Sequence, residues 1–286
     1  MKQPRILVVQ DISLSCRISM NVAVPILSCL GNWVNVLPTA LLSTHTGPGF
    51  EQYTFLDLSE EMEKVLEHWR TLDIRFDGIV IGYLGSLGQM HLVEELLGEF
   101  MTEDALVVLD PVMGDNGQLY DGFTQEHIAK MKELCQYADV LIPNVTEASY
   151  LTGKRYPHAS LSHRKIEELL KALVVKENQK IILSGISFEE GKIGAAVWSK
   201  ADPAIDYPTA KAFPGHFDGT GDLFTSVIAG FLFQCHSVSE STEAAVDYVS
   251  KVVKRTIEEE VDPLYGVVFE KDLPDLMNRL STGTRK

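Results

Sequence analysis

An α/β fold, a central mostly parallel sheet with helices on both faces, is predicted by three observations. Apolar runs that end in polar or glycine residues recur along the chain, as in strands buried on both faces. Amphipathic segments of helical period alternate with them, the mark of βα units. With 286 residues, 45% of them hydrophobic, the chain can bury a sizeable core.

The runs RILVVQ (5–10), GIVIGY (78–83), ALVVLD (105–110), DVLIPN (139–144) and KIILSG (180–185) are the expected parallel strands. Between them, residues 59–72 place Met62, Val65, Leu66, Trp69 and Leu72 on one helical face. Residues 164–177 do the same with Ile166, Leu169, Leu170, Leu173 and Val174. Two regions break the rhythm. Residues 33–49 read as extended segments around Pro38 that end in a Gly-Pro-Gly breaker, a loop or flap. Residues 195–210 read as an antiparallel edge hairpin turning at Asp202-Pro203. Beyond Gly219 the pattern is nearly all helical. No repeat, low-complexity tract or linker divides the chain, so one domain over 1–286 is expected.

A formal charge of −15 lacks the basic footprint that nucleic acid or an anionic membrane requires. An anionic substrate would need local donors, which points to helix N-termini and a bound cation. The four cysteines, Cys16, Cys29, Cys135 and Cys235, form no C-x-x-C pair, and reduced thiols in a cytoplasmic protein are expected. The apolar N-terminal run stops at Gln10 and Asp11, too early for a signal peptide, and no segment has the length of a membrane span.

Ligands in open α/β sheets collect at the carboxyl ends of the strands. Gln10, Asp11, Gly82, Tyr83, Asp110, Asn144 and Ser184 should therefore share one rim. In the stretch DGTGD, Gly219 and Gly221 bracket Thr220 just before a helical pattern, which leaves unsatisfied amides as an anion hole. Asp222 would lie in the first turn as a base, or serve as an ordinary N-cap. LDPVMGDNG (109–117) places Asp110 at a strand end and Asp115 five residues on, followed by Asn116-Gly117, whose bland reading is a tight turn. IPNVTEA (142–148) sets Asn144 and Glu147 three apart where a strand gives way to a helix, and by itself reads as a helix start capped by Asn144 or Thr146. Neither the P-loop string nor the dinucleotide glycine fingerprint occurs.

The order D-P-V-M-G-D, P-N-x-x-E, G-T-G-D resembles the ribokinase superfamily, and STHTG with GYLGS resembles its pyridoxal kinase branch over nearly the whole chain. The resemblance implies a ribokinase-like domain with a small β-flap over the substrate site. It also implies ATP-dependent phosphorylation of the 5′-hydroxymethyl group of pyridoxal, pyridoxine or pyridoxamine. Asp222 would be the base and the Gly219, Thr220 and Gly221 amides the anion hole. Asp11, His45, Thr46, Tyr83 and Phe217 would hold the vitamer, with Asp11 standing where many members of the branch carry serine. Asp110, Asp115, Asn144 and Ser184 would serve ATP, and Glu147, Asn144 and Asp110 the Mg²⁺. The adenine pocket would use the apolar face of the helix around 247–256. A homodimer is further implied, in line with the frequency of two-fold oligomers, and the carboxylate-rich nucleotide side suits a monovalent cation such as K⁺. The alternatives are a hydroxymethylpyrimidine kinase of the same superfamily and a non-catalytic vitamer-binding protein.

Overall fold

The computed structural model describes residues 3–47, 49–157 and 161–282. Pro48 of the expected breaker lies outside them, as do Met1 and Lys2 ahead of the N-terminal run. The elements in chain order are β1 (Arg5–Ser13), α1 (Met20–Cys29), β2 (Trp33–Leu42), β3 (Phe55–Asp57), α2 (Ser59–Arg70), β4 (Phe76–Ile81), α3 (Leu87–Glu99) and β5 (Met101–Leu109). They continue with β6 (Gly114–Asp115), β7 (Gln118–Leu119), α4 (Gln125–Leu134), β8 (Val140–Leu141), α5 (Val145–Thr152), α6 (His163–Leu173) and β9 (Lys180–Ile186). The last are β10 (Lys192–Ser199), β11 (Thr209–Lys211), α7 (Thr220–Phe233), α8 (Val238–Glu258) and α9 (Leu273–Thr282).

Among the described residues nine strands form one sheet in the order β11-β10-β9-β8-β5-β4-β1-β2-β3. From β9 to β2 neighbouring strands are parallel, whereas β3, β10 and β11 add antiparallel edges. The continuous apolar runs follow from burial on both faces. Leu7 and Val9 point into a core with α2 to α6, while Ile6 and Val8 point into a second core with α1, α7, α8 and α9.

The chain leaves β1 toward β2 on one side and later fills β4, β5, β8 and β9 on the other. The order therefore reverses between β1 and β4. The crevice at the carboxyl end of such a switch point is where ligands bind in open α/β sheets.

The structure refines several sequence expectations. Trp33–Leu42 is not a loop but a strand paired along β1, and only β3 folds back on it. Pro38 is tolerated because it sits beside the register shift between Gln10 and Ile12. The run at 139–144 yields just two strand residues, since Pro143 has no donor and Asn144 already caps the next helix. α2 ends at Arg70, which leaves Leu72 exposed, and α6 ends at Leu173 with Val174 as its extended C-cap. The expected hairpin is β10–β11, with Asp202-Pro203 in its connecting loop.

Tyr248, Val252 and Val253 of α8 are buried in the second core. Val249 on the same helix is only partly buried. All four cysteines are free. Among the described residues no helix is long and apolar enough to cross a membrane.

Candidate active site

α7 carries the centre of the site. Its N-cap is Gly219, not Asp222, and Asp222 is the acid of the first turn. Gly219 has φ 77°, and a Cβ there would overlap the carbonyl oxygen of Arg17, so no other residue fits without strain. Gly221, by contrast, is exposed and faces open space within 4 Å of where a Cβ would lie. Among the described residues no acceptor meets the amides of Gly219, Thr220, Gly221 and Asp222, while Leu223 N–H already donates to Gly219 O. These free amides and the helix dipole make a binding place for an anion. Thr220 turns its hydroxyl away, donating to Phe217 O at 2.9 Å.

The carboxyl of Asp222 is pushed up to about 7, first by burial and then by the charges of Asp11 and Asp110, against a lowering bond from the Ser19 backbone. Ser19 presents that amide from an unusual backbone conformation, φ 52° and ψ −125°. Its hydroxyl bonds Asp11, whose carboxyl is raised by burial and lowered by Ser19, Ser13 and His45. Sequence reasoning missed Ser19, because the link depends on a backbone conformation and not on residue type.

The expected rim is present. Gly82 N–H donates to Val9 O and Asp110 N–H to Ile81 O, each at 2.9 Å, which aligns the ends of β1, β4 and β5. Ser184 pairs with Asn144 as an isolated bridge. Tyr83 is half-buried, and burial followed by the Asp11 charge pushes its hydroxyl up to about 12, so the group is a neutral donor near neutrality.

His45 is buried, and both ring nitrogens are occupied: Nδ1 accepts from Gly47 N–H and Nε2 faces Leu264 O, each at 2.9 Å. This pattern fixes Nε2–H as the donor. His45 therefore shapes the loop beside the switch point, and Thr46 next to it stays half-exposed. Phe217 packs at the edge of the second core.

On the other side, Asp110 is raised to about 7 by burial, against a hydrogen bond from Thr225, and Glu147 is raised well above its ordinary range by burial and then by Asp110. Asn144 and Glu147 form a reciprocal capping box: Asn144 Oδ1 accepts from Glu147 N–H at 2.9 Å, and Glu147 Oε2 accepts from Asn144 N–H at 2.8 Å. Glu147 Oε1 accepts from Met113 N–H, and Asn144 Nδ2 donates to Gly114 O. Thus the bland helix-start reading also holds, with Asn144 as the cap. Thr146 instead accepts from Gly117 N–H at 2.9 Å, docking the β6–β7 turn. Asn116 and Gly117 have φ 51° and 80°, as a tight primed turn needs, and Asp115 accepts from Asn116.

The donors here are hard carboxylate oxygens that raise one another, the electrostatic state a divalent cation relieves. Yet no three of the described His, Cys, Asp and Glu side chains converge as a metal cluster. The set fits a hydrated Mg²⁺ held through water and phosphate, not a closed cage.

The family model for phosphomethylpyrimidine kinase matches residues 53–264. The chain belongs to this family. The pyridoxal kinase of Lactobacillus plantarum superposes with a TM-score of 0.89 at 34% identity, over 96% of this chain and 97% of that one. A Bacteroides thetaiotaomicron protein assigned as a phosphomethylpyrimidine kinase, in a crystal form with pyridoxal, gives 0.90 at 35% identity over 100% and 98%. Pyridoxal kinase of Arabidopsis thaliana is 26% identical over 265 residues, 89% of this chain and 83% of its own. These likenesses agree with the ribokinase-like fold and the pyridoxal kinase branch that the motifs implied.

Proposed function

We propose that this protein is an ATP-dependent kinase that phosphorylates the 5′-hydroxymethyl group of pyridoxal, pyridoxine and pyridoxamine, with residues 1–286 acting as one kinase domain. The observation that carries the reading is the N-terminal turn of α7. Free amides lie there beside an acid whose pKa is about 7, at the sheet's switch point. Similarity to pyridoxal kinases supports the substrate class.

In this reading the vitamer lies against Asp11, His45, Thr46, Tyr83 and Phe217, with Asp11 placed to pair with a protonated ring nitrogen. The 5′-hydroxyl oxygen attacks the γ-phosphorus of ATP, Asp222 accepts the hydroxyl proton, and ADP leaves. An alcohol has little alkoxide at neutral pH, so the carboxylate takes the proton late along the reaction. The Gly219, Thr220 and Gly221 amides hold the phosphoryl oxygens in transfer, where electrostatic stabilisation matters most. Asp110, Asp115, Asn144 and Ser184 face the nucleotide side. Bound Mg²⁺ would supply charge neutralisation of the phosphates, and Asp110, Asn144 and Glu147 would organise its water shell. Because the Asn144 and Glu147 side chains already hold each other and the adjoining backbone, both act by positioning. K⁺ is a further cation of the same reading.

A homodimer belongs to this reading too, in line with the frequency of two-fold oligomers. Exposed Trp33, Val36, Phe55 and Leu56 near the β2–β3 edge supply apolar surface for it. The acidic surface and free thiols suit a cytoplasmic setting.

The family match favours one second reading, phosphorylation of a hydroxymethylpyrimidine. Purified protein with ATP and Mg²⁺, offered each B6 vitamer and the aminopyrimidine alcohol side by side, separates the two. Turnover of a vitamer supports the first reading, and turnover of the pyrimidine alone replaces it with the second. Vitamer binding without any turnover would make the protein a binder.

A further inference from the structure

Three consecutive carbonyls in the turn 263–265 each accept a hydrogen bond from a different segment of the site. Pro263 O receives Asp218 N–H at 3.3 Å, from the loop leading into the anion hole. Leu264 O receives His45 Nε2 at 2.9 Å, from the vitamer side. Tyr265 O receives Arg17 N–H at 2.9 Å, from the segment that joins Asp11 to α1.

Side chains reinforce each link. A Cβ on Gly49 would overlap the Leu264 side chain, and a Cβ on Gly266 would overlap Arg17. The Tyr265 ring meets Phe50 edge-on at 5.1 Å, and Phe50 meets His45 at 4.8 Å. Asp218 also lies 3.6 Å from His45 Nε2.

We propose that Leu264 and Tyr265 are positioning residues, and that their turn couples nucleotide binding at the anion hole to ordering of the vitamer-side loop. The proposal rests on the kinase reading above. The Asp218 bond is the longest of the three, so phosphate that settles the adjoining 219–221 amides can draw Asp218 N–H closer to Pro263. Ordering this turn lowers the conformational cost of ordering the His45 loop, and that is positive coupling without a large displacement. Linkage makes the effect reciprocal, so bound vitamer strengthens nucleotide binding by the same factor.

Amide hydrogen exchange of residues 43–47 tests this with no vitamer present. The magnesium complex of the β,γ-imido analogue of ATP should slow exchange there about fivefold or more. In Leu264→Ala the slowing should fall by at least half, with nucleotide affinity within about twofold of wild type. Tyr265→Ala should behave alike, and its exposed position leaves folding intact. No slowing in the wild type, or slowing undiminished in either variant, overturns the coupling. Failure of the analogue to bind at all, read by calorimetry, overturns the kinase reading and the coupling with it.

Discussion

The Thr225 hydroxyl donates to Asp110 Oδ2 at 2.6 Å, tying the helix that carries Asp222 to the end of β5. The two residues are 115 positions apart in sequence, yet this bond opposes the rise that burial imposes on the Asp110 carboxyl. It sets the spacing between the N-terminal turn of α7 and the Asp110 carboxylate.

Thr225→Val removes the donor while keeping the shape. A hydrogen bond to a charged group contributes about 1.5–3 kcal/mol. The KM for Mg·ATP should therefore rise roughly 10-fold or more while the KM for vitamer stays nearly constant. Steady-state kinetics with each substrate varied in turn check this split.

Asp222→Asn keeps the helix turn but removes the proton acceptor. Loss of a positioned base costs about 10²–10⁴ in kcat. Calorimetry should find vitamer binding preserved, and a variant with normal turnover would remove Asp222 from its role.

Rate and pH are linked through the same acid. Because Asp222 is raised to about 7 and must be ionised to accept a proton, kcat/KM should climb with pH through that region and then level off. Asp110→Asn removes one of the like charges that raise Asp222, so the acid limb should move to lower pH. A limb that stays in place or moves upward contradicts the coupling.

Stability of the ligand-free protein should run the opposite way. The folded pKa values of Asp110 and Asp222, about 7, exceed those of exposed carboxyls. These groups disfavour the folded state once they ionise, so the stability they contribute when protonated is lost as pH rises through about 7. Thermal unfolding should show Tm falling between pH 6 and pH 8, and Mg·ATP should reverse the fall.

The two glycines of the proposed anion hole should respond differently. Gly219→Ala forces a side chain into positive φ and against Arg17, a cost of about 1–3 kcal/mol that denaturant unfolding will read. Gly221→Ala meets no protein atom within 4 Å and should fold normally. Its methyl would instead intrude on the space over the amides, lowering kcat by about tenfold or more.

Much of this architecture was legible in the sequence because burial on both faces leaves an unbroken apolar run, as at Leu7 to Val9 and Ile79 to Ile81. The rim was legible because polar residues follow those runs at Asp110 and Asn144. Order among the motifs then pointed to Asp222 as more than a common cap, and the cap itself is Gly219. Residues 33–42 misled because Pro38 signals a break, whereas a register shift absorbs it. Thr225, Ser19 and the 263–265 turn left no local pattern. Their partners lie far along the chain or are backbone groups, and only the closed fold brings them together.

Asp11, Asp110, Glu147 and Asp222 crowd four carboxyl groups, each raised by burial, around one crevice of a protein whose formal charge is −15. A polyanion approaching from bulk water meets a repulsive field that reaches about 8–10 Å at physiological salt. Encounter with nucleotide should therefore quicken as ionic strength rises, the reverse of the dependence expected for a basic phosphate-binding cleft.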